Sequence, residues 1–153
     1  MNIVEYNNTD DRELVFCILD TTAKITDPWI KELTKNQADF TLQNLFAKGY
    51  TVLQGTSGDL LLQEATKRFK HACMLSTGTE FTNGTAAIDA LVRECQPDYL
   101  VKGHILDRGD AYYELHQQCF LVNLTNYKEL GCPKIGQQQL GEQHTQLAVQ
   151  RST

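Results

Sequence analysis

The chain has 153 residues, of which 41% are hydrophobic and 22% are charged, as in an ordinary globular protein. A chain of this length buries enough surface to fold as one domain without a disulfide or a structural metal. Its net charge of -5 argues against general nucleic-acid binding, because neutralising phosphates requires a basic face.

Apolar runs alternate with amphipathic segments along the chain. Residues 1–13 are polar and are expected to be irregular. The continuous apolar run Leu14–Leu19 is typical of a strand buried on both faces of a parallel sheet. Later strands are predicted at 50–54, 73–75, 99–107 and 112–124. Helices are predicted from Pro28 to a stop at Gly49 with a break near Ala38, at 60–72, from about 82 to Pro97, and at 125–130.

This order predicts an α/β fold with three α/β/α layers and a mostly parallel, Rossmann-like sheet. Right-handed crossovers would place helices on both faces of that sheet. The strand at 112–124 follows a short turn, so we expect it to run antiparallel to a neighbour.

Residues 1–135 are predicted to form a single α/β domain, and residues 136–153 a polar tail that contains six glutamines. We expect the tail to be poorly packed, or completed by additional sequence, by a partner or by a second copy in a homo-oligomer. The chain shows no signal-peptide pattern and no apolar run of ~20 residues, which predicts a cytoplasmic protein without a membrane span. Its five cysteines include no CxxC pair, so neither a disulfide framework nor structural zinc is expected.

Polar clusters follow three of the predicted strands, where ligands bind in open parallel sheets. The clusters are Asp20, Thr21 and Thr22; Gly55, Thr56, Ser57 and Asp59; and Thr77, Thr79 and Glu80. The glycine-containing second cluster suits phosphate, because its backbone can approach closely and the next helix offers free N–H groups. Its alternative is a helix cap, since Thr56 and Asp59 have capping-box spacing. The dinucleotide and P-loop fingerprints are absent, and neither NAD nor haem is expected.

The third cluster combines hydroxyl groups with one carboxylate, Glu80. Such a turn suits a ribose or, with substrate phosphates, Mg²⁺ or Mn²⁺. The alternative is a plain turn that leads into the next helix.

The segment 103–117 is the richest in titratable groups. His104, Asp107 and His116 are candidate catalytic residues, because histidine transfers protons near neutral pH and a nearby carboxylate can orient it or act as a base. The same three residues could hold a metal in a hydrolase. The alternative is a hairpin with a solvated tip. By contrast, His71 is expected at the surface, at the end of the 60–72 helix.

The order and placement of these segments resemble the GT-A class of nucleotide-sugar glycosyltransferases over roughly residues 14–135. The strand and turn at 14–22 resemble the start of that class's nucleotide site. The helix and strand at 60–80 resemble those that lead to its Asp-x-Asp element, and 101–107 with 112–116 resemble its acceptor-side strands. Asp-x-Asp itself is absent, and Thr77, Thr79 and Glu80 occupy its approximate place.

The resemblance implies a glycosyltransferase that binds a nucleotide diphosphate sugar. Asp20, Thr21 and Thr22 would lie near the base or ribose, and Asp107 or His116 would be the base for the acceptor hydroxyl. The alternative is a non-catalytic interaction domain that has kept the fold and lost the metal and nucleotide motif.

Overall fold

The computed structural model describes residues 3–8, 13–79, 85–107 and 113–134. In chain order its elements are β1 (Val4–Tyr6), β2 (Leu14–Leu19), a 3-10 turn (Thr22–Lys24), α1 (Pro28–Ala47), β3 (Val52–Gly55), α2 (Gly58–Ala65), β4 (His71–Ser76), α3 (Thr85–Arg93), β5 (Val101–Asp107), β6 (Tyr113–Asn123) and α4 (Leu124–Glu129). The tail predicted at 136–153 lies outside the described residues.

The described strands form one mixed sheet in the order β1-β3-β2-β4-β6-β5. The pairs β2–β3 and β2–β4 are parallel, whereas β6 is antiparallel to both β4 and β5, and β1 is antiparallel to β3. Strands β2, β3, β4 and β5 therefore point the same way. The predicted α/β class and the antiparallel direction of the late strand are confirmed.

Strand β2 is buried on both faces, as its continuous apolar run predicted. Val15 and Cys17 pack with side chains of α2 and α4, and Phe16 and Ile18 pack on the other face with side chains of α1 and α3. All four β2 residues are at most 2% exposed. The alternation of side chains along a strand divides one apolar run between two cores.

Helix α1 is continuous, so the predicted break near Ala38 is wrong. Asp27 caps its first turn by accepting a hydrogen bond from the backbone N–H of Trp29, and Pro28 follows at the first helical position. Ala38 itself is buried, and it continues the core-facing side of the helix. The helix ends before Gly49, whose φ of 96° is the left-handed conformation of the predicted stop.

Two other predictions of secondary structure are wrong. Residues 4–6 are not irregular but form the edge strand β1, whose three side chains are all exposed and which pairs with β3. The helix predicted at 60–72 ends at Ala65, because the chain turns and enters β4 at His71. None of the described helices is long and apolar enough to cross a bilayer.

Candidate functional site

The polar turns that follow β2, β3 and β4 lie together at one edge of the sheet. The backbone N–H of Asp20 donates to the carbonyl of Gly55 at 2.7 Å, which joins the ends of β2 and β3. The backbone N–H of Thr77 donates to the carbonyl of Leu19 at 3.0 Å, which joins the ends of β4 and β2. We call this edge, formed by residues 20–22, 55–57 and 76–79, the rim.

Thr21 and Thr77 connect the turns that follow β2 and β4. Their hydroxyl oxygens are 2.8 Å apart, and the backbone N–H of Thr21 also donates to the Thr77 hydroxyl at 3.2 Å. Both residues are half-buried. Two residues chosen from separate polar clusters of the sequence therefore meet side by side.

Asp20 builds the first turn of the rim. Its Oδ1 accepts hydrogen bonds from the backbone N–H of Thr22 at 2.9 Å and from the Thr22 hydroxyl at 2.6 Å. Thr22 is 4% exposed, so it lies beneath the surface of the turn. The carboxylate thus holds the backbone of residues 20–22 in one conformation, which is the role of an Asx turn.

The second cluster divides into a helix cap and an exposed residue. Ser57, not Thr56, is the N-cap of α2, and its hydroxyl accepts a hydrogen bond from the backbone N–H of Leu60 at 3.3 Å. Thr56 is exposed at the rim. Asp59 lies in the first turn of α2, where a carboxylate is stabilised by the helix dipole. The predicted pairing of Thr56 with Asp59 in a capping box is wrong by one residue.

The connections that follow β2 and β3 leave the sheet on opposite faces. Helix α1 follows β2 onto one face of the sheet, and α2 follows β3 onto the other. Strand β4 then lies on the opposite side of β2 from β3. Ligands of α/β sheets commonly bind in a crevice beyond the carboxyl ends of two such adjacent strands, and here residues 20–22 and 55–57 follow these two ends.

The turn after β4 is anchored on α1. The Thr41 hydroxyl donates to the carbonyl of Thr79 at 2.8 Å, and the backbone N–H of Thr79 donates to the carbonyl of Ser76 at 3.1 Å. Gly78 has a φ of 93°, and its α-carbon faces the side chains of Thr34 and Gln37. The turn is therefore held on two sides. Glu80, the predicted metal ligand, lies outside the described residues.

The backbone of β5 passes the end of β4. Gly103 on β5 pairs with Phe120 on β6, and Phe120 pairs with Met74 on β4. His104, the next residue on β5, is therefore level with the last residues of β4. His116 lies on β6, the direct neighbour of β4, whereas His104 and Asp107 lie on β5, one strand further from the rim.

The pairing of β5 with β6 is irregular at the two histidines. The register shifts between Gly103 and Ile105, and the matching stretch of β6 runs from Leu115 to Phe120 and contains His116. Asp107 lies further along, paired with Tyr113, where β6 extends beyond its last pair with β4. Bulges of this kind occur often beside active sites. The side chains of His104, Asp107 and His116 lie outside the described part of the structure.

Within the described residues, no group of three His, Cys, Asp or Glu side chains is placed to hold a metal ion. The rim instead offers hydroxyl groups, backbone amides and the Asp20 carboxylate. The hydroxyl groups and backbone amides can donate to phosphate oxygens, and the carboxylate can accept a hydrogen bond from a ribose hydroxyl.

A buried polar pair lies at the end of the strands opposite the rim, and the sequence analysis predicted the position of one of its members wrongly. His71 is the first residue of β4 and is 7% exposed, so its predicted position at the surface end of a helix is wrong. Its Nδ1 lies 2.8 Å from the hydroxyl of Tyr99, and the two rings are stacked with centroids 5.7 Å apart. Burial lowers the pKa of His71 and raises the pKa of the Tyr99 phenol. Sequence pattern alone contains no signal for this pair, because 28 residues separate its members.

Three of the cysteines lie near this pair, on the α1 side of the sheet. The thiols of Cys73 and Cys119 are hydrogen-bonded, and this bond raises the pKa of Cys73 and lowers the pKa of Cys119. The thiol of Cys95 is hydrogen-bonded to Tyr99. Cys73 is fully buried, where a thiol packs as a small hydrophobic group.

Comparison of this chain with protein-family models, with curated proteins and with solved structures found no match.

Proposed function

We propose that this chain is a glycosyltransferase-like domain with a three-layer, Rossmann-like fold, and that it binds a nucleotide diphosphate sugar at the rim. The observation that carries the proposal is the contact between Thr21 and Thr77, at 2.8 Å. It brings the turn after β2 against the turn after β4, which in the proposed resemblance corresponds to the Asp-x-Asp element of the GT-A class.

The crevice between the ends of β2 and β3 supports this proposal. The helices that follow these two parallel strands lie on opposite faces of the sheet, which is the common ligand position in α/β sheets. The exposed hydroxyl of Thr56 and the half-buried turn at Asp20 border it. A nucleoside would lie against residues 20–22, and its phosphates would extend toward Thr77 and Thr79.

The hairpin of β5 and β6 supports an acceptor site next to the donor. It passes the end of β4. Its register shift falls at His104 on β5 and at the stretch of β6 that contains His116. A base for the acceptor hydroxyl must come within hydrogen-bond reach of it, about 2.6–3.2 Å. Among the predicted bases we favour the two histidines over Asp107, whose backbone is further from the rim.

A divalent cation at this site would depend on the substrate. Mg²⁺ and Mn²⁺ commonly bind through one or two carboxylates together with phosphate oxygens. Glu80 would supply the carboxylate, and the diphosphate would supply the remaining charge. The cation would therefore bind weakly in the absence of the nucleotide.

Ligand-induced stabilisation tests the proposed function. The protein would be melted with a panel of nucleotides and nucleotide sugars, each with and without Mn²⁺. A ligand at 100 times its dissociation constant adds about 2.7 kcal/mol, which raises the melting temperature by roughly 5–10 °C. The Thr21→Val and Thr77→Val variants should lose most of this rise.

The matched control is Thr66→Val, at the far end of α2, where the hydroxyl only donates to its own helix. This variant should keep the full temperature rise. If no member of the panel raises the melting temperature of the wild type, the donor-site proposal is wrong. If Thr66→Val loses the rise as completely as Thr21→Val, ligand binding does not depend on the rim.

A specific observation favours the second candidate, a non-catalytic interaction domain. Hydroxyl and carboxylate groups of the rim already hydrogen-bond to one another, as the pairs Thr21–Thr77 and Asp20–Thr22 show. A rim of this kind can be stable without a ligand. This candidate predicts no thermal response to any nucleotide, together with an association that is lost on deletion of residues 137–153.

A further inference from the structure

Helix α1 exposes a row of large apolar side chains on the side opposite the core. Trp29 is 71% exposed, Phe40 60% and Leu33 45%. The core-facing residues Ala38, Thr41, Leu42 and Leu45 lie on the other side of the helix. We call Trp29, Leu33 and Phe40 the α1 stripe.

The α1 stripe has the spacing of a helix–helix interface. Trp29, Leu33, Asn36 and Phe40 are separated by four, three and four residues, which is the a/d pattern of a coiled coil. These four positions are symmetric about the point midway between Leu33 and Asn36. Two antiparallel copies of α1 would place Trp29 of one protomer against Phe40 of the other, twice, and Leu33 against Asn36 near the centre. A two-fold interface requires this kind of self-complementary surface.

The exposed area is close to what such an interface needs. With about 150–250 Å² for each aromatic side chain, the stripe and the half-exposed Ile30 beside it expose on the order of 400 Å² of apolar surface. A standard interface buries about 800 Å² per partner, of which about 57% is apolar. The stripe therefore supplies most of the apolar area of one side.

The charges beside the stripe distinguish a protein partner from a membrane. Glu32 and Asp39, seven residues apart, lie along one flank of the stripe. Acidic side chains disfavour an anionic lipid surface, which attracts basic residues. In the antiparallel pair, Glu32 of one protomer faces Asp39 of the other. That contact is repulsive, so it weakens the interface at low salt.

We infer that this protein forms a two-fold homodimer through the α1 stripe. Two α1 helices pack antiparallel, with Trp29 against Phe40 at both ends and Leu33 near the centre. Helix α1 contacts the rim through Thr34, Gln37 and Thr41, whereas the interface uses Trp29, Leu33 and Phe40. The nucleotide proposal and the dimer proposal therefore fail separately.

The mass in solution and the fluorescence of the single tryptophan test this inference together. Analytical ultracentrifugation at about 1–100 µM should show a concentration-dependent dimer, and the Trp29 emission should shift to the blue as the dimer forms. Phe40→Glu should raise the dimer dissociation constant at least about 30-fold and leave Trp29 exposed. The control is Val92→Glu, an equally simple change at an exposed apolar position of α3, which should leave the dimer intact.

The charges beside the stripe provide a second test, in which the expected change strengthens the dimer instead of weakening it. Raising the salt concentration should strengthen the dimer a few-fold, because it screens the acidic pairs. Glu32→Lys should strengthen it at low salt, since each new lysine would face an Asp39.

A wild type that remains monomeric up to about 100 µM would overturn the inference. A monomer whose Trp29 emission shifts only on addition of lipid vesicles would assign the stripe to a membrane and also overturn it. A dimer that Phe40→Glu leaves unchanged, or that Val92→Glu weakens as strongly, would place the interface elsewhere.

Discussion

The hydroxyl groups of Thr21 and Thr77 lie 2.8 Å apart although 56 residues separate them in the chain. The contact is possible because β2 and β4 are parallel neighbours that end at the same level, with Leu19 paired to Ser76. It adds a side-chain contact to the backbone hydrogen bond from Thr77 to Leu19 that already joins the ends of these strands. The nucleotide proposal depends on this contact, and so does part of the stability of the rim.

The first prediction concerns the stability of this threonine pair. Thr21→Val should lower the free energy of unfolding by about 1 kcal/mol, because it removes one partner of a half-buried hydrogen bond. Thr77→Val should lower it by more, because the Thr77 hydroxyl also accepts a hydrogen bond from the backbone N–H of Thr21. The double variant should cost little more than Thr77→Val, since it also removes the Thr21 hydroxyl that Thr77→Val leaves without its partner. Urea unfolding of all four proteins measures the coupling as a double-mutant cycle. Strictly additive effects would contradict the contact.

The second prediction compares two glycines. Gly78→Ala should destabilise the protein by about 1–2 kcal/mol, because its φ of 93° is unfavourable for any residue with a Cβ. The added methyl would itself fit, at 3.7 Å from Gln37 and Thr34. The strain would therefore lie in the backbone. Thermal or urea unfolding measures the change.

The control for this prediction is Gly58→Ala, at the start of α2. There the new Cβ would lie 3.6 Å from Met74, an ordinary contact, and alanine is the better helix residue. Gly58→Ala should leave the stability unchanged or raise it by up to about 1 kcal/mol. Equal losses in the two variants would show that backbone strain at Gly78 is not the cause.

The third prediction is a pH dependence that originates at His71. Burial lowers the pKa of His71 in the folded protein, with a smaller contribution from Lys70 and a partial opposition from Glu13. Between the lowered pKa and the ordinary value of about 6.5, the unfolded chain binds this proton and the folded protein does not. The stability is therefore complete above about pH 6.5 and is lost as the pH falls toward the lowered pKa.

Unfolding free energies measured between pH 7.5 and pH 5 test this dependence. His71→Phe keeps an aromatic ring against Tyr99 and should flatten the slope relative to the wild type. Tyr99→Phe should instead cost about 1–3 kcal/mol at pH 7.5, because it leaves Nδ1 of His71 without its hydrogen-bond partner. If His71→Phe and the wild type have the same slope, the acid sensitivity arises from other groups.

The fourth prediction ranks the reactivity of three thiols. Burial raises the pKa of Cys17 to about 12, and the hydrogen bond with Cys119, together with burial, raises the pKa of Cys73. The same hydrogen bond lowers the pKa of Cys119, which is only partly buried. Alkylation of the native protein near pH 8 should therefore modify Cys119 at least about 100-fold faster than Cys17 or Cys73.

Mass spectrometry of the alkylated peptides measures this order. Cys73→Ala should slow the reaction at Cys119, because it removes the hydrogen bond that favours the thiolate. The experiment would contradict the structure if Cys73 reacted as fast as Cys119 in the native protein. It would do the same if Cys73→Ala accelerated Cys119.

Several elements could be predicted from local pattern because consecutive residues along the chain show where they are buried and where they end. The run Leu14–Leu19 matches β2 at both ends, since a strand that is covered on both faces must be apolar at every position. Gly49 marked the end of α1 correctly, because a left-handed residue there favours glycine. These signals depend on neighbouring residues only.

Other elements depend on partners that are distant in the chain. The edge strand Val4–Tyr6 has exposed side chains and exists through its pairing with β3. His71 resembled the end of an amphipathic helix, but it enters a strand between β2 and β6 and stacks on Tyr99. Local spacing does not reveal such partners.

The sequence by itself determined the α/β class, the antiparallel late strand and the polar clusters that follow the strands, because hydrophobic periodicity reports which side of each segment is buried. Tertiary structure alone decided which clusters meet. Strand order brings Thr21 to Thr77, and the packing of α1 turns Trp29 and Phe40 to the surface. The physical reason is that burial is a property of one segment and its pattern, whereas a contact between strand ends requires a specific pairing of two distant segments.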